Sequence, residues 1–203
     1  TSRDLYRRFA ENGREILPHL QQAEDTGDLA DGDADALAQI RYLWSAAKMP
    51  CHGATAAAYF PSGEAFLPSL LDDLRAAERF IFMEYFIIQE GKMWNAVHEA
   101  LREKAAAGVK VCLMYDDFGC IATLPDNYDC QLRAEGISCT VSNRFRPILS
   151  HIHNNRDHRK IAVIDGRVGY TGGLNLADEY INAIEKHGHW KDTAVRVEGA
   201  AAR

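Results

Sequence analysis

The sequence predicts an α/β fold: a mixed β-sheet flanked by helices, preceded by a helical N-terminal segment. Two observations carry this. From residue 51 onward, short β-rich apolar runs alternate with stretches of helical periodicity. Before that, Leu5, Phe9, Ile16, Leu17 and Leu20 recur at helix-like spacing among Arg and Glu. The expected organisation is therefore a helical segment over 1–50 and a sheet-based domain over 51–203. A chain of 203 residues with 47% hydrophobic content can bury one sizeable core, and 26% charged residues suit a folded globular chain.

The elements follow in order. The first helix could lie on a membrane surface or pack on its own domain. TGDLADGDAD reads as a loop, and ADALAQIRYLWSAAK (34–48) as a second helix stopped at Pro50. SGEAFLPSLLDDLRAAE reads as a helix with Ser62 as N-cap; Pro68 inside it predicts a separate first turn. RFIFMEYFII is a strand, and KMWNAVHEALREKAAAG is a helix ending at Gly108. The near-continuous apolar run VKVCLMYDD predicts a strand buried on both faces, with Cys112 filling core space. DNYDCQLRAEG is a short helix and ISCTVSN a further strand. This βαβαβ order requires that part of the sheet be parallel.

RKIAVIDGRVGYTGG predicts a hairpin, because Asp165-Gly166 suits a two-residue type I′ turn. In that register Ile164 faces Arg167, Lys160 lies opposite Thr171, and His158 lies opposite Gly173. Side chains alternate along a strand, so His158 and Lys160 share a face. Asn175 joins them on it, and Gly173 leaves space beside the imidazole. Lysine charge, amide donors and a close glycine backbone suit an anionic phosphate, which a histidine ring nitrogen can attack. Asp165, at the far end of the hairpin, is about 16 Å from Lys160 at about 3.3 Å per residue. It reads as a turn-former and salt-bridge anchor rather than a group that touches substrate.

The stretch NRFRPILSHIHNNRDHRK is a basic island in an acidic chain of net charge −6. Its Arg144, Arg146, Arg156 and Arg159 read either as part of a phosphate pocket or as a solvated loop. The acidic balance argues against nonspecific nucleic-acid binding. Five cysteines without CxxC pairs fit reduced thiols in a cytosolic compartment. His151, His153, Asp157, His187 and His189 match no metal-ligand spacing, so no metal site is expected. Glu84, in an apolar strand, either pairs with a cation near the cleft or sits at a strand end. For Asp116 and Asp117, hydrogen bonding to the adjacent turn outweighs a functional-loop role. No apolar run approaches the ~18 residues of a membrane span.

His158-x-Lys160, four residues, Asp165, six residues, Gly172-Gly173, then x-Asn175 resembles the signature of the phospholipase D superfamily, often called the HKD motif. From residue 54 onward, segments such as NNRDHRKIAVIDG, YTGGLNLADEYIN, GHWKDTAVRVEG and EYFII resemble bacterial cardiolipin synthases. The resemblance implies phosphatidyl transfer between two phosphatidylglycerol molecules, giving cardiolipin and glycerol, without a cofactor. It also implies an enzyme of the bacterial cytoplasmic membrane whose catalytic part is on the cytoplasmic side, often with membrane helices upstream. On this likeness His158 is the nucleophile of a phosphohistidine intermediate, Lys160 and Asn175 bind phosphate oxygens, and Asp165 belongs to the catalytic motif. Gly172, Gly173, Arg156 and Arg159 line the substrate. Asp192 is the candidate carboxylate for orienting His158, with Glu185 and Glu179 as alternatives. A serine found after the first glycine in some members is replaced here by Gly173. Such enzymes pair two motifs across one cleft, whereas this sequence has a single HxK followed by four residues and Asp, since His151-Ile-His153 lacks the lysine. The expectation is half a site, completed by a second catalytic domain or a second copy of the chain. The alternatives are a homodimeric phosphodiesterase or nuclease, and a non-catalytic binder of anionic headgroups.

Overall fold

The computed structural model describes residues 33–47, 49–144 and 156–202. The expected first helix, with His19, lies outside them, as do Arg146, His151 and His153. The chain divides into two compact units, 1–55 with 199–201 and 56–198 with 202–203. Of the first, the helix α1 (Ala34–Ala47) is described. Asp33 caps it by accepting from the N–H groups of Asp35 and Ala36.

The second unit is built on a seven-stranded sheet. Its strands are β1 (Thr55–Phe60), β2 (Phe80–Tyr85), β3 (Lys110–Asp116), β4 (Ser138–Ser142), β5 (Ile161–Ile164), β6 (Val168–Gly172) and β7 (Ala194–Gly199). Their spatial order is β1-β7-β6-β5-β2-β3-β4. β2, β3 and β4 run parallel; β5 is antiparallel to β2, and β6 and β7 continue antiparallel. Helices α2 (Gly63–Ala76), α3 (Lys92–Ala106), α4 (Asp117–Cys120) and α5 (Tyr128–Ala134) form the connections. The sheet is thus mixed and flanked by helices, as the alternation predicts. β1 is the strand the sequence hides, because Ala-rich TAAAYF carries little β-propensity.

Pro68 does not split α2, which is one helix from Ser62, whose hydroxyl accepts from Ala65 N–H. A proline near the helix start loses only one early hydrogen bond. Burial of Phe66, Leu70 and Leu74 holds the rest. Phe66 meets Tyr170 of β6 edge to face, with ring centroids 5.6 Å apart. Tyr170 also bonds Ser69 and Asp73 of α2, and Asp73 receives Arg196 of β7 at 2.7 Å.

Burial along the strands separates two sheet faces. Ile81, Met83, Tyr85, Val111, Leu113, Tyr115, Ala162 and Ile164 are buried. Cys112, Met114, Ile161 and Val163 on the other face are only half-buried, and Phe82 is 40% exposed. The expectation that β3 is buried on both faces is therefore corrected, and Cys112 with it. The apolar run there reflects a sheet face that the described residues leave partly open.

The hairpin register also differs from the expected one. Ile164 pairs with Val168, and Thr171 lies opposite Ile161 rather than Lys160. The turn holds three residues. Asp165 and Gly166 take positive φ, 57° and 64°, and Arg167 N–H closes onto Ile164 C=O at 3.0 Å. The extra residue has a tertiary cause. Asp165 donates its N–H to Phe80 C=O, and its carboxylate accepts from the N–H groups of Glu78, Arg79 and Phe80 at 2.8–2.9 Å. Burial pushes this carboxyl's pKa up, but the three donors and Arg167 outweigh that and hold it below the usual carboxylate range. Asp165 is thus a turn-former and an anchor, but it anchors through backbone N–H groups rather than through the expected salt bridge, and it does not engage the rest of the motif. Asp165→Ala should lower the unfolding free energy by about 2 kcal/mol through three lost charge-assisted bonds and a strained φ. Asp165→Asn, which tolerates that φ and keeps one acceptor, should lose less. Urea denaturation of the three proteins checks the ranking, and equal stabilities would refute the anchoring role.

Candidate active site

Four chain segments meet where β2 ends and β5 begins. Lys160 immediately precedes β5 and is 5% exposed, in step with buried Ala162 and Ile164. His158, two residues earlier, is exposed. The Lys160 ammonium lies 3.1 Å from His158 Nδ1 and donates to His158 C=O at 2.6 Å. The two side chains are together, as strand alternation predicts. Burial lowers the Lys160 pKa, against which the nearby carboxylates of Asp192 and Asp157 hold the charged form.

After β2, the segment Phe86–Gln89 runs beside the chain that leaves β6. Leu176 N–H bonds Ile87 C=O, and Gln89 N–H bonds Leu176 C=O. Asn175, 2% exposed, is fixed there. Its Oδ1 accepts from Ile87 N–H at 2.9 Å, and its Nδ2 donates to Tyr180 Oη at 2.7 Å. One amide hydrogen remains for an outside oxygen. With the register shifted by one residue, Asn175 does not reach this region by strand alternation. It arrives because the chain crosses over after Gly172. Asp178 holds the same crossover by capping α3, accepting from Lys92 and Met93 N–H at 3.0 and 2.8 Å.

The two glycines make room for β7. A Cβ on Gly172 would collide with Thr193 C=O, and one on Gly173 would fall on the Asp192 carboxylate. Gly173 therefore leaves space for Asp192, not for the imidazole. Asp192 also accepts from Thr193 N–H at 2.8 Å. Of the other carboxylates considered for orienting His158, Glu185 is exposed and Glu179 bonds Lys186 at 3.1 Å. Asp192 is the one whose charge acts on Lys160, yet among the described residues none of the three hydrogen-bonds His158.

The arginines belong to other partners. Arg156 bonds Asn143 C=O at 3.1 Å, reaches Asp116 at 3.5 Å, and lies over the Phe118 ring at 4.6 Å. Arg159 points to the opposite sheet face, 2.7 Å from Glu84 and 2.9 Å from Asp157. Arg144 pairs with Asp129. The basic island is thus largely matched by acids, and Lys160 is the cation that contacts His158. Asp116 caps α4, accepting from Phe118 and Gly119 N–H.

Sequence reasoning missed two residues. Tyr180 holds Asn175, and Phe86 lies against His158 with ring centroids 4.6 Å apart. Phe86 follows β2 in EYFII, where an aromatic one residue past a strand carries no distinguishing signal.

Glu84 both pairs with a cation and sits near a strand end. Burial and the neighbouring Asp157 carboxylate, partly offset by Arg159, push its pKa from 4.5 to about 7. Between those values the folded protein keeps a proton that the unfolded chain has lost. Stability therefore falls as pH rises through that window. Asp157 is held low by Arg159, so its own contribution is lost only at more acidic pH. Urea midpoints at pH 5 and 7 should differ more in the wild type than in Glu84→Gln; an unchanged difference in the variant would exclude this titration.

Comparisons with known proteins agree with the fold. The family model for the cardiolipin synthase, phospholipase D-like domain matches residues 70–187. An uncharacterized protein of Streptococcus mutans is 40% identical over 198 residues, covering 97% of this chain and 43% of its own length. A cardiolipin synthase of Geobacillus thermodenitrificans is 38% identical over 155 residues, covering 76% of this chain and 31% of its own. The chain thus spans less than half the length of these relatives. Among solved structures, the phospholipase D family member Nuc from Salmonella typhimurium shares the fold at TM-score 0.51 and 17% identity, over 73% of this chain and 84% of that one. With a family model matched across most of the sheet domain, this chain belongs to the phospholipase D-like domain family of cardiolipin synthases.

Proposed function

We propose that this chain carries half of a phosphatidyltransferase site that joins two phosphatidylglycerol molecules into cardiolipin and releases glycerol. The observation that carries this reading is an exposed imidazole whose Nδ1 lies 3.1 Å from a buried ammonium at a strand end. Attack uses His158 Nε2 on phosphorus, and the bond from phosphorus to the glycerol oxygen breaks. For Nε2 to hold a lone pair, Nδ1 must carry the proton and give it an acceptor. Lys160 then turns from Nδ1 to a phosphate oxygen, and Asp192, on the Gly173 backbone, takes up the Nδ1–H. Asn175 offers its remaining amide hydrogen to the phosphate. The hydroxyl of a second phosphatidylglycerol attacks phosphorus, and the phosphorus–nitrogen bond breaks. A second histidine, from a second catalytic domain, protonates the departing alkoxide and activates the incoming hydroxyl. In this reading residues 51–203 form the first catalytic domain. The substrate reaches it from the cytoplasmic face of the bacterial cytoplasmic membrane. Among the described residues no helix is long and apolar enough to cross a membrane.

The single complete motif in the sequence, one HxK followed by four residues and Asp, favours one second reading: two copies of the chain face each other as a phosphodiesterase. Light scattering, with activity measured against chain concentration, separates the two. The test of the main reading expresses this region with its natural downstream sequence and analyses the lipid products. Cardiolipin and glycerol should form, with acid-labile phosphate trapped on His158. His158→Ala should lower the rate on the order of 10³-fold or more. Headgroup binding without trapped phosphate would reduce the chain to a binding module.

A further inference from the structure

We infer that Phe86 is a positioning residue for the reaction, the platform on which the His158 imidazole and the Lys160 ammonium are both seated. The inference rests on the reading of His158 as nucleophile. One ring touches both groups. The His158 ring lies 4.6 Å from it, tilted by 48°, and Lys160 Nζ lies 5.4 Å from its centroid, within cation–π range. His158 is otherwise exposed. Among the described residues its side chain makes a single hydrogen bond, to Lys160. If Lys160 moves to a phosphate, that bond is lost and the Phe86 face remains to limit rotation of the imidazole.

The platform is itself rigid. Phe86 C=O accepts Cys120 S–H at 3.6 Å, and Ile88 N–H returns to Cys120 Sγ at 3.2 Å. Gly119 lies so close that a Cβ there would overlap Phe86 C=O. Between these contacts, Ile87 N–H is held by Asn175. The backbone that carries this ring is tied to α4 through Phe86 C=O and, through Ile87 N–H, to Asn175, so His158, Lys160 and Asn175 share one frame. Its electron-rich face also favours positive charge, on the ammonium throughout and on an imidazolium as it forms. Phe86 exchanges no proton and forms no bond with substrate.

The test uses the protein with its natural downstream sequence and compares wild type, Phe86→Leu and Phe86→Tyr. Phe86→Leu should slow labelling of His158 from radiolabelled phosphatidylglycerol by about 10- to 100-fold, with KM within about twofold. Phe86→Tyr, which keeps the ring, should restore the rate to within about threefold. Separately, NMR of this chain should show the His158 ring protons shifted upfield in wild type and Phe86→Tyr, but not in Phe86→Leu. Wild-type labelling in Phe86→Leu, or equal losses in both variants, would overturn the inference. Should Phe86→Leu fail to fold, the rate of Phe86→Tyr and the wild-type ring-current shift still decide it. If the wild type itself labels elsewhere than His158, the functional reading fails, while the shift still reports whether Phe86 orients the ring.

Discussion

The carboxylate of Asp165 receives three consecutive backbone N–H groups from the entry to β2, and the geometry of the site follows from that clamp. It locks the tip of the β5–β6 hairpin to the neighbouring strand, admits a third residue to the turn and sets the register. A one-residue slip in a sheet turns every side chain to the other face. The clamp therefore helps keep Lys160 over the buried face and Arg159 on the other, although the two are adjacent in sequence. An acidic residue at one end of the ribbon thus governs chemistry at the other without contacting it.

At that other end the chain gathers backbone rather than many side chains. Asn175 is bonded to Ile87, Gly173 N–H to Thr193 C=O, and Phe86 C=O to the Cys120 thiol. Two glycines let β7 approach so closely that any side chain on them would displace Asp192 or Thr193. His158 and Lys160 stand before β5, Asn175 after β6 and Asp192 before β7. Acids pair with the neighbouring cations Arg144, Arg156 and Arg159 and remove them from competition for a phosphate. Beside His158 this leaves one ammonium, kept charged in a buried place by nearby carboxylates.

Much of this was legible in the sequence. The alternation of elements gave the mixed sheet, helical periodicity gave α1, α2, α3 and α5, and the spacing of His158 and Lys160 placed them on one face. What misled was local reasoning about things that neighbours decide. A type I′ turn was right for Asp165-Gly166 by backbone angle, yet the carboxylate's partners, 85 to 87 residues away, shifted the pairing. Arg156 pairs with Asp116 of β3, and Arg159 with Glu84 of β2 as well as with Asp157 two residues away, so the partners on other strands were out of reach of a local pattern. β1 was invisible because alanine signals helix until a sheet edge claims it, and Pro68 looked disruptive until the buried face of α2 outweighed it.

The sequence by itself determined which groups can do chemistry, since an imidazole, an ammonium and a carboxamide at fixed spacing are properties of the chain. It also determined the strand period that puts the first two together, because alternation is local stereochemistry. Tertiary structure alone decided that Asn175 is bonded to Ile87, that the Asp192 charge acts on Lys160, and that a phenylalanine from the segment after β2 lies against the imidazole. Those relations join segments some 30 to 90 residues apart. Contacts of that range arise from packing the whole sheet, and no pattern within one segment encodes them.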